Sequence, residues 1–151
     1  MIKYFKAVAS RSEKLRLRDI LDKVFSEYIR LRDVRGDGQF ICISCGGAFP
    51  YEYGDCGHYI SRENISVRFS EENCNAQCVT CNRLNRGNIE GYRQGLRRKY
   101  GESVVLSLES AKYQICKMSE SDYREKIAHY RKEIKRLKLE KGWINIRRDS
   151  K

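Results

Sequence analysis

The sequence predicts an α+β protein: a small cysteine-rich core of short strands and a helix, flanked by N- and C-terminal α-helices. Three observations carry that prediction. Apolar residues recur at three- and four-residue spacing toward both ends of the chain. Six of the seven cysteines and the only proline fall between residues 40 and 87. The apolar runs of that centre are short and cut by turn residues. The 151 residues divide on this reading into a helical segment 1–36, a core 37–101 and a helical extension 102–151.

Residues 1–10 are short and poorly patterned. From Glu13 to Asp33 the apolar positions Leu17, Ile20, Leu21, Val24, Phe25, Tyr28 and Leu31 predict an amphipathic helix, which "RGDG" at 35–38 ends in a turn. "QFICI" predicts a strand leading into the first cysteine pair. "GHYIS" and "ISVRF" predict two further strands, with "REN" at 62–64 as the turn between them. Asn88 is placed to cap a helix over "IEGYRQGLRRKYG", and "GESVVLSLESAKYQIC" predicts one more helix. "SESD" at 119–122 fits a capping box opening the last helix. Its stripe of Tyr123, Ile127, Tyr130, Ile134 and Leu137 either packs on the chain's own first helix or pairs two copies in a homodimer.

Lys and Arg number 31 against 20 Asp and Glu, a net charge of +11. Such an excess repels itself in a compact chain unless a polyanion uses it, and nucleic acid comes before an acidic membrane surface as that partner. No apolar run approaches the roughly 18 residues of a membrane span. The cysteine count is odd and nothing resembles a secretory signal, so a reducing, cytoplasmic setting is expected, in which paired C-x-x-C reads as metal.

Cys42, Cys45, Cys78 and Cys81 form two C-x2-C knuckles separated by 32 residues. Two knuckles complete a tetrahedron of thiolates, which favours Zn²⁺ and leaves no open position, so the site is structural. Between and beside the knuckles lie the candidate reactive groups. "GDCGHYISR" puts Asp55, Gly57 and Tyr59 on one side of an extended segment and Cys56 and His58 on the other. Asn73 precedes the second knuckle and Asn82 follows Cys81 directly. Cys56 and Cys74 are either small buried hydrophobes or, with His58, a second soft metal site. Cys116 reads as helix packing and His129 as part of a solvated face.

A His on a short hairpin, an Asn before the second knuckle and an Asn just after it resemble the HNH, or His-Me finger, nucleases. Within that superfamily, "CISCGG", "DCGHY", "RFSEENCNAQCVTCN" and "GNIEGYR" together resemble the NinG/Rap recombination proteins of lambdoid phages, over about Leu21 to Leu137. The resemblance implies a zinc-stapled ββα core and a metal-dependent endonuclease acting on branched recombination intermediates such as Holliday junctions and D-loops, in a phage-infected or lysogenic bacterial cytoplasm. It also implies roles. His58 would be the general base, Asn82 and Asp55 the ligands of a catalytic Mg²⁺ or Mn²⁺, and Asn73 the residue that holds the hairpin turn and orients the His. Gly57 stands where most such nucleases carry an acidic or His ligand, and Asp55 substitutes from two residues earlier.

Arg62, Arg68, Arg83, Arg86, Arg97, Arg98 and Lys99 lie near this site in sequence and are the candidate phosphate contacts. No base-reading module is present, which favours recognition of DNA structure over sequence. The alternative is a zinc-containing branched-DNA binder without catalysis. A protein-interaction zinc domain that pairs through the C-terminal helix leaves the charge and the His/Asn set unused; recombination proteins are further candidate partners.

Overall fold

The structure, a computed structural model, describes residues 2–143, with side chains from residue 11 on. The chain folds into two compact units. The described residues of 1–28 and 117–151 make one; Ile29–Cys116 is the other. The fold is α+β, with two small antiparallel sheets.

Helix α1 spans Ile2–Asp33. It starts well before the predicted Glu13, so the N-terminal segment read as unpatterned is helical. In the first unit, α1 and the C-terminal helix α5 (Glu120–Glu140) bury the stripes that the sequence periodicity marks: Leu17, Leu21, Phe25 and Tyr28 on α1, and Tyr123, Ile127, Tyr130, Ile134 and Leu137 on α5. Phe25 and Tyr130 meet edge to face at 4.9 Å, and Lys138 Nζ reaches Glu27 Oε1 at 2.6 Å. The α5 stripe is thus used within the chain. Ser119 and Asp122 form the expected capping box.

The second unit carries the cysteines. Strand β1 (Gln39–Ile41) pairs with β2 (Ala48–Pro50), and the tight turn between them holds the first knuckle. Strand β3 (Gly54–His58) pairs with β4 (Cys74–Cys78), in a register that sets Asp55 against Gln77 and His58 against Cys74. A wide helical turn at Thr80–Leu84 follows and leads into α3 (Ile89–Tyr100). Asn88 caps α3 as expected, its side chain accepting from the Gly91 amide.

Three sequence expectations are corrected here. "ISVRF" is not a strand: Ile65–Arg68 is a short helix, α2, because the Asn64 carbonyl accepts the amides of Val67 and Arg68. The second strand of the hairpin is "CNAQC" instead. All five of its residues are buried, so it shows no apolar/polar alternation. The predicted helix over 101–116 stops early: α4 is Glu102–Ala111. Beyond it Tyr113 is 77% and Ile115 92% exposed, so no packing supports further turns. Cys116 is exposed rather than packed.

Tyr59, Val67, Tyr92, Leu96, Val105 and Leu108 form a core beside the hairpin. Glycine is required at Gly95, where a Cβ would overlap the Ile43 carbonyl oxygen. That close approach seats α3 against the first knuckle.

Candidate functional site

The four knuckle thiols converge. The Sγ atoms of Cys42, Cys45, Cys78 and Cys81 lie within 4.8 Å of one another, although 36 residues separate Cys42 from Cys78. Local backbone explains the convergence. The Cys78 amide donates to Cys42 Sγ at 3.3 Å, the Cys81 amide to Cys78 Sγ at 3.4 Å, and Asn88 Nδ2 to Cys81 Sγ at 3.4 Å. Burial pushes the Cys42 thiol up, but the amides of Cys78, Cys45 and Ser44 outweigh it and its pKa lies below the ordinary value. Burial and neighbouring sulfurs push Cys78 up to about 12. Sulfurs this crowded ionise together only around a cation. Four converging thiols with amide donors fit a structural Zn²⁺, which would contribute on the order of 10 kcal/mol to folding.

Asn73 is fully buried and holds the loop between β3 and β4. Its Oδ1 accepts the Ile60 amide at 2.8 Å, and its Nδ2 donates to the carbonyls of Ile60 at 3.0 Å and Val67 at 3.1 Å. The Tyr92 hydroxyl, from α3, donates to the Gly57 carbonyl at 2.9 Å, with the Asn73 carbonyl at 3.1 Å. His58 thereby has a fixed position at the end of β3. Its ring Nε2 stands 3.1 Å from the Arg68 carbonyl. A proton on Nε2 satisfies that carbonyl and leaves Nδ1 as the lone-pair nitrogen.

Asp55 and Asn82 meet, with Asn82 Nδ2 donating to Asp55 Oδ2 at 2.9 Å. Arg83 joins them through two bonds to the same carboxylate, at 2.7 and 2.6 Å. Burial pushes the Asp55 carboxyl up, but Arg83 and Asn82 outweigh it and hold its pKa below the ordinary value. The result is an ionised, oriented carboxylate beside an amide whose oxygen becomes a ligand when the amide turns over. Both are hard oxygen donors suited to Mg²⁺, with Arg83 competing for the same carboxylate. Beside them, Gln77 Oε1 is buried without a hydrogen-bond partner, and Gly57 has no room for a Cβ because Gln77 fills it. An acidic ligand at position 57 is therefore sterically excluded.

The structure does not bring Asp55 and His58 into one cluster. They are three residues apart, about 10 Å along a strand, and they point to opposite faces. His58 clusters instead with Cys56 and Cys74: one ligand atom from each lies within 4.8 Å of the others. Burial, then Cys56, pushes the Cys74 thiol well above its ordinary pKa.

The basic residues sort by partner. Arg68 is 8% exposed and its Nη1 donates to the Arg62 carbonyl, so it packs the α2 loop. Arg83 is held by Asp55, and Arg97 pairs with Glu102. Lys99 Nζ reaches Asp33 Oδ1 at 3.0 Å and Asn75 Oδ1 at 2.7 Å. Arg62, Arg86 and Arg98 are exposed. Arg98 and Lys99 border a cleft of about 450 Å³ lined also by Arg32, Asp33 and Asn75. Sequence reasoning missed Arg32 and Asp33. Asp33 accepts from Arg32, Lys99 and the Ala76 amide, and so ties α1 to β4 and α3.

The fold and cysteine cluster define a small α+β protein built around four converging thiols that could hold a metal ion. Comparison with known families goes further. The model of the bacteriophage lambda NinG protein family matches residues 5–140, and the chain belongs to that family. It is 32% identical over 102 residues to protein ninG of Escherichia phage lambda, covering 63% of this chain and 50% of that protein. The values are the same for protein ninG of Salmonella phage P22. To protein ninG of Escherichia phage 933W it is 37% identical over 75 residues, covering 49% of this chain and 37% of that protein. The chain spans half or less of the length of these relatives. No solved structure matches it. Among the described residues, no helix is long and apolar enough to cross a membrane.

Proposed function

We propose that this protein is a metal-dependent, structure-selective DNA endonuclease of phage recombination, acting in the bacterial cytoplasm on branched intermediates such as Holliday junctions and D-loops. One observation carries the reading. A half-buried histidine stands at the end of a hairpin that four metal-binding cysteines, Asn73 and Tyr92 lock in place, with one ring nitrogen committed to a backbone carbonyl. The order β3, β4 and α3, with the short helix α2 between the strands and the helical turn Thr80–Leu84 before α3, supports a strand–strand–helix reading, as does the NinG family match.

His58 acts as general base. With Nε2 donating to the Arg68 carbonyl, Nδ1 takes the proton of the attacking water. Asp55 and Asn82 are the residues that would hold Mg²⁺ or Mn²⁺, which would supply charge stabilisation for phosphodiester cleavage. Among the described residues β3 pairs only with β4. The Asp55–Asn82 pair and His58 stand on opposite faces of β3, about 10 Å apart along the strand, so a single phosphate does not reach both as they stand. Asn73 positions the loop and does not touch substrate. Arg62, Arg86 and Arg98 contact phosphates, whereas Arg68, Arg83, Arg97 and Lys99 are engaged within the protein. The net charge of +11 favours a polyanionic substrate.

The test is cleavage of a labelled four-way junction beside a linear duplex of the same sequence, in Mg²⁺ and in EDTA. Mg²⁺-dependent cutting of the junction ahead of the duplex is expected. Binding of the junction with no cutting in Mg²⁺ or Mn²⁺ would leave the non-catalytic branched-DNA binder.

A further inference from the structure

Cys56, His58 and Cys74 lie on one face of the β3–β4 hairpin and each presents a soft donor within 4.8 Å of the other two. Tetrahedral zinc with bonds of about 2.0–2.3 Å sets its ligands about 3.5–3.8 Å apart, so each donor needs to move less than about 1 Å to share an ion. The contact between His58 Nε2 and the Arg68 carbonyl is the arrangement that orients a ligating imidazole, with the proton on one nitrogen and the lone pair on the other. Cys74 is fully buried, its Sγ 3.5 Å from the same Arg68 carbonyl that His58 faces, whereas Cys56 is only half-buried.

We propose that Cys56, His58 and Cys74 form a second metal site, distinct from the four-cysteine centre, for a thiophilic divalent ion such as Zn²⁺. Binding releases the two thiol protons and gives a neutral site: two thiolates, one imidazole and the ion. Three protein ligands leave the fourth position to water or a phosphate oxygen. Resting on the endonuclease reading, the site has a consequence: an ion here takes the lone pair that His58 needs as a base. Occupancy therefore opposes catalysis, and the hard Mg²⁺ pair on the opposite face is chemically separate from it.

The experiment is a titration with Co²⁺ of full-length protein loaded with one equivalent of zinc per chain, which fills the tighter four-thiolate centre first, followed by absorbance and by metal analysis after gel filtration. Zinc outcompetes cobalt at the four-thiolate centre, so added Co²⁺ reports the second site. One equivalent of Co²⁺ with a thiolate-to-cobalt charge-transfer band is expected. In Cys56→Ser the affinity falls by at least about 10-fold, the loss that even an outer-shell partner causes; His58→Ala behaves likewise. The four-cysteine centre keeps its zinc in both variants, which separates loss of the site from loss of the fold. No uptake beyond one zinc per chain, or an unchanged cobalt band in Cys56→Ser, overturns the proposal. A parallel junction-cleavage assay distinguishes the two claims: cobalt uptake without cleavage in any condition keeps the site and sinks the endonuclease. Cleavage resistant to added Zn²⁺ despite cobalt uptake overturns the inhibitory consequence.

Discussion

Replacing Asn73 by Ala isolates the device that holds His58 in place. The side chain makes three hydrogen bonds, to the Ile60 amide, the Ile60 carbonyl and the Val67 carbonyl. The Val67 carbonyl also accepts the Ser70 amide, so only the two Ile60 groups lose a partner outright. A buried group left unsatisfied costs about 1–3 kcal/mol. Two such groups sum to about 2–6 kcal/mol, and because Ile60 is half-buried, water reaching it keeps the cost in the lower part, about 2–3 kcal/mol. Urea unfolding of the zinc-loaded protein measures it. With a slope of about 1–3 kcal/mol/M, the midpoint should fall by about 1–2 M. The variant should retain its zinc, because Asn73 touches no knuckle sulfur. A midpoint within about 0.3 M of wild type would refute the claim that Asn73 holds the loop.

Three further perturbations test the remaining framework. Gly95→Ala drives a methyl into the Ile43 carbonyl, a backbone atom that cannot turn away, and should cost about 1–3 kcal/mol or more by thermal unfolding; an unchanged Tm contradicts the close α3 seat. Asp33→Asn should cost about 1–3 kcal/mol at neutral pH by removing the carboxylate that Arg32 and Lys99 share, although both keep their bonds to Asn75 Oδ1. The Asp33 carboxyl is pushed up by burial, but Arg32, Lys99 and the Ala76 amide outweigh it and hold its pKa below the ordinary value. Its contribution is therefore fully present above the unfolded value near 4 and is lost only as pH falls through the lower folded value. The penalty measured by urea unfolding should be equal at pH 6 and pH 8, and a penalty that changes between them contradicts the assignment. Arg98→Ala should reduce the salt slope of junction binding by about 1 in fluorescence anisotropy without changing urea stability. An unchanged slope removes Arg98 from the interface.

Much of this architecture is legible in the sequence because its signals are periodic or spaced. The stripes on α1 and α5 follow helical spacing, and both bury the residues that the spacing marks. The two knuckles are legible because C-x2-C restricts where the thiols point. The opposite placement of Asp55 and His58 follows from strand alternation alone. Strand β4 escapes because Asn75 and Gln77 are polar yet fully buried, and periodicity assumes that polar residues face water. Asn75 Oδ1 is instead satisfied by Arg32, Lys99 and Tyr100, partners 24 to 43 residues away. The same distance hides the roles of the arginines. Near His58 in sequence, Arg68 reads as a phosphate contact, but its burial is set by tertiary packing. The bonds of Arg83 to Asp55 span 28 residues and leave no local trace.

The most direct test of the central claim is single-turnover cleavage of a four-way junction by wild type and His58→Ala in Mg²⁺, with junction affinity measured for both. The account predicts equal binding and a loss of cleavage of about 100-fold or more, the scale of removing a general base. Cleavage by His58→Ala at the wild-type rate would contradict it.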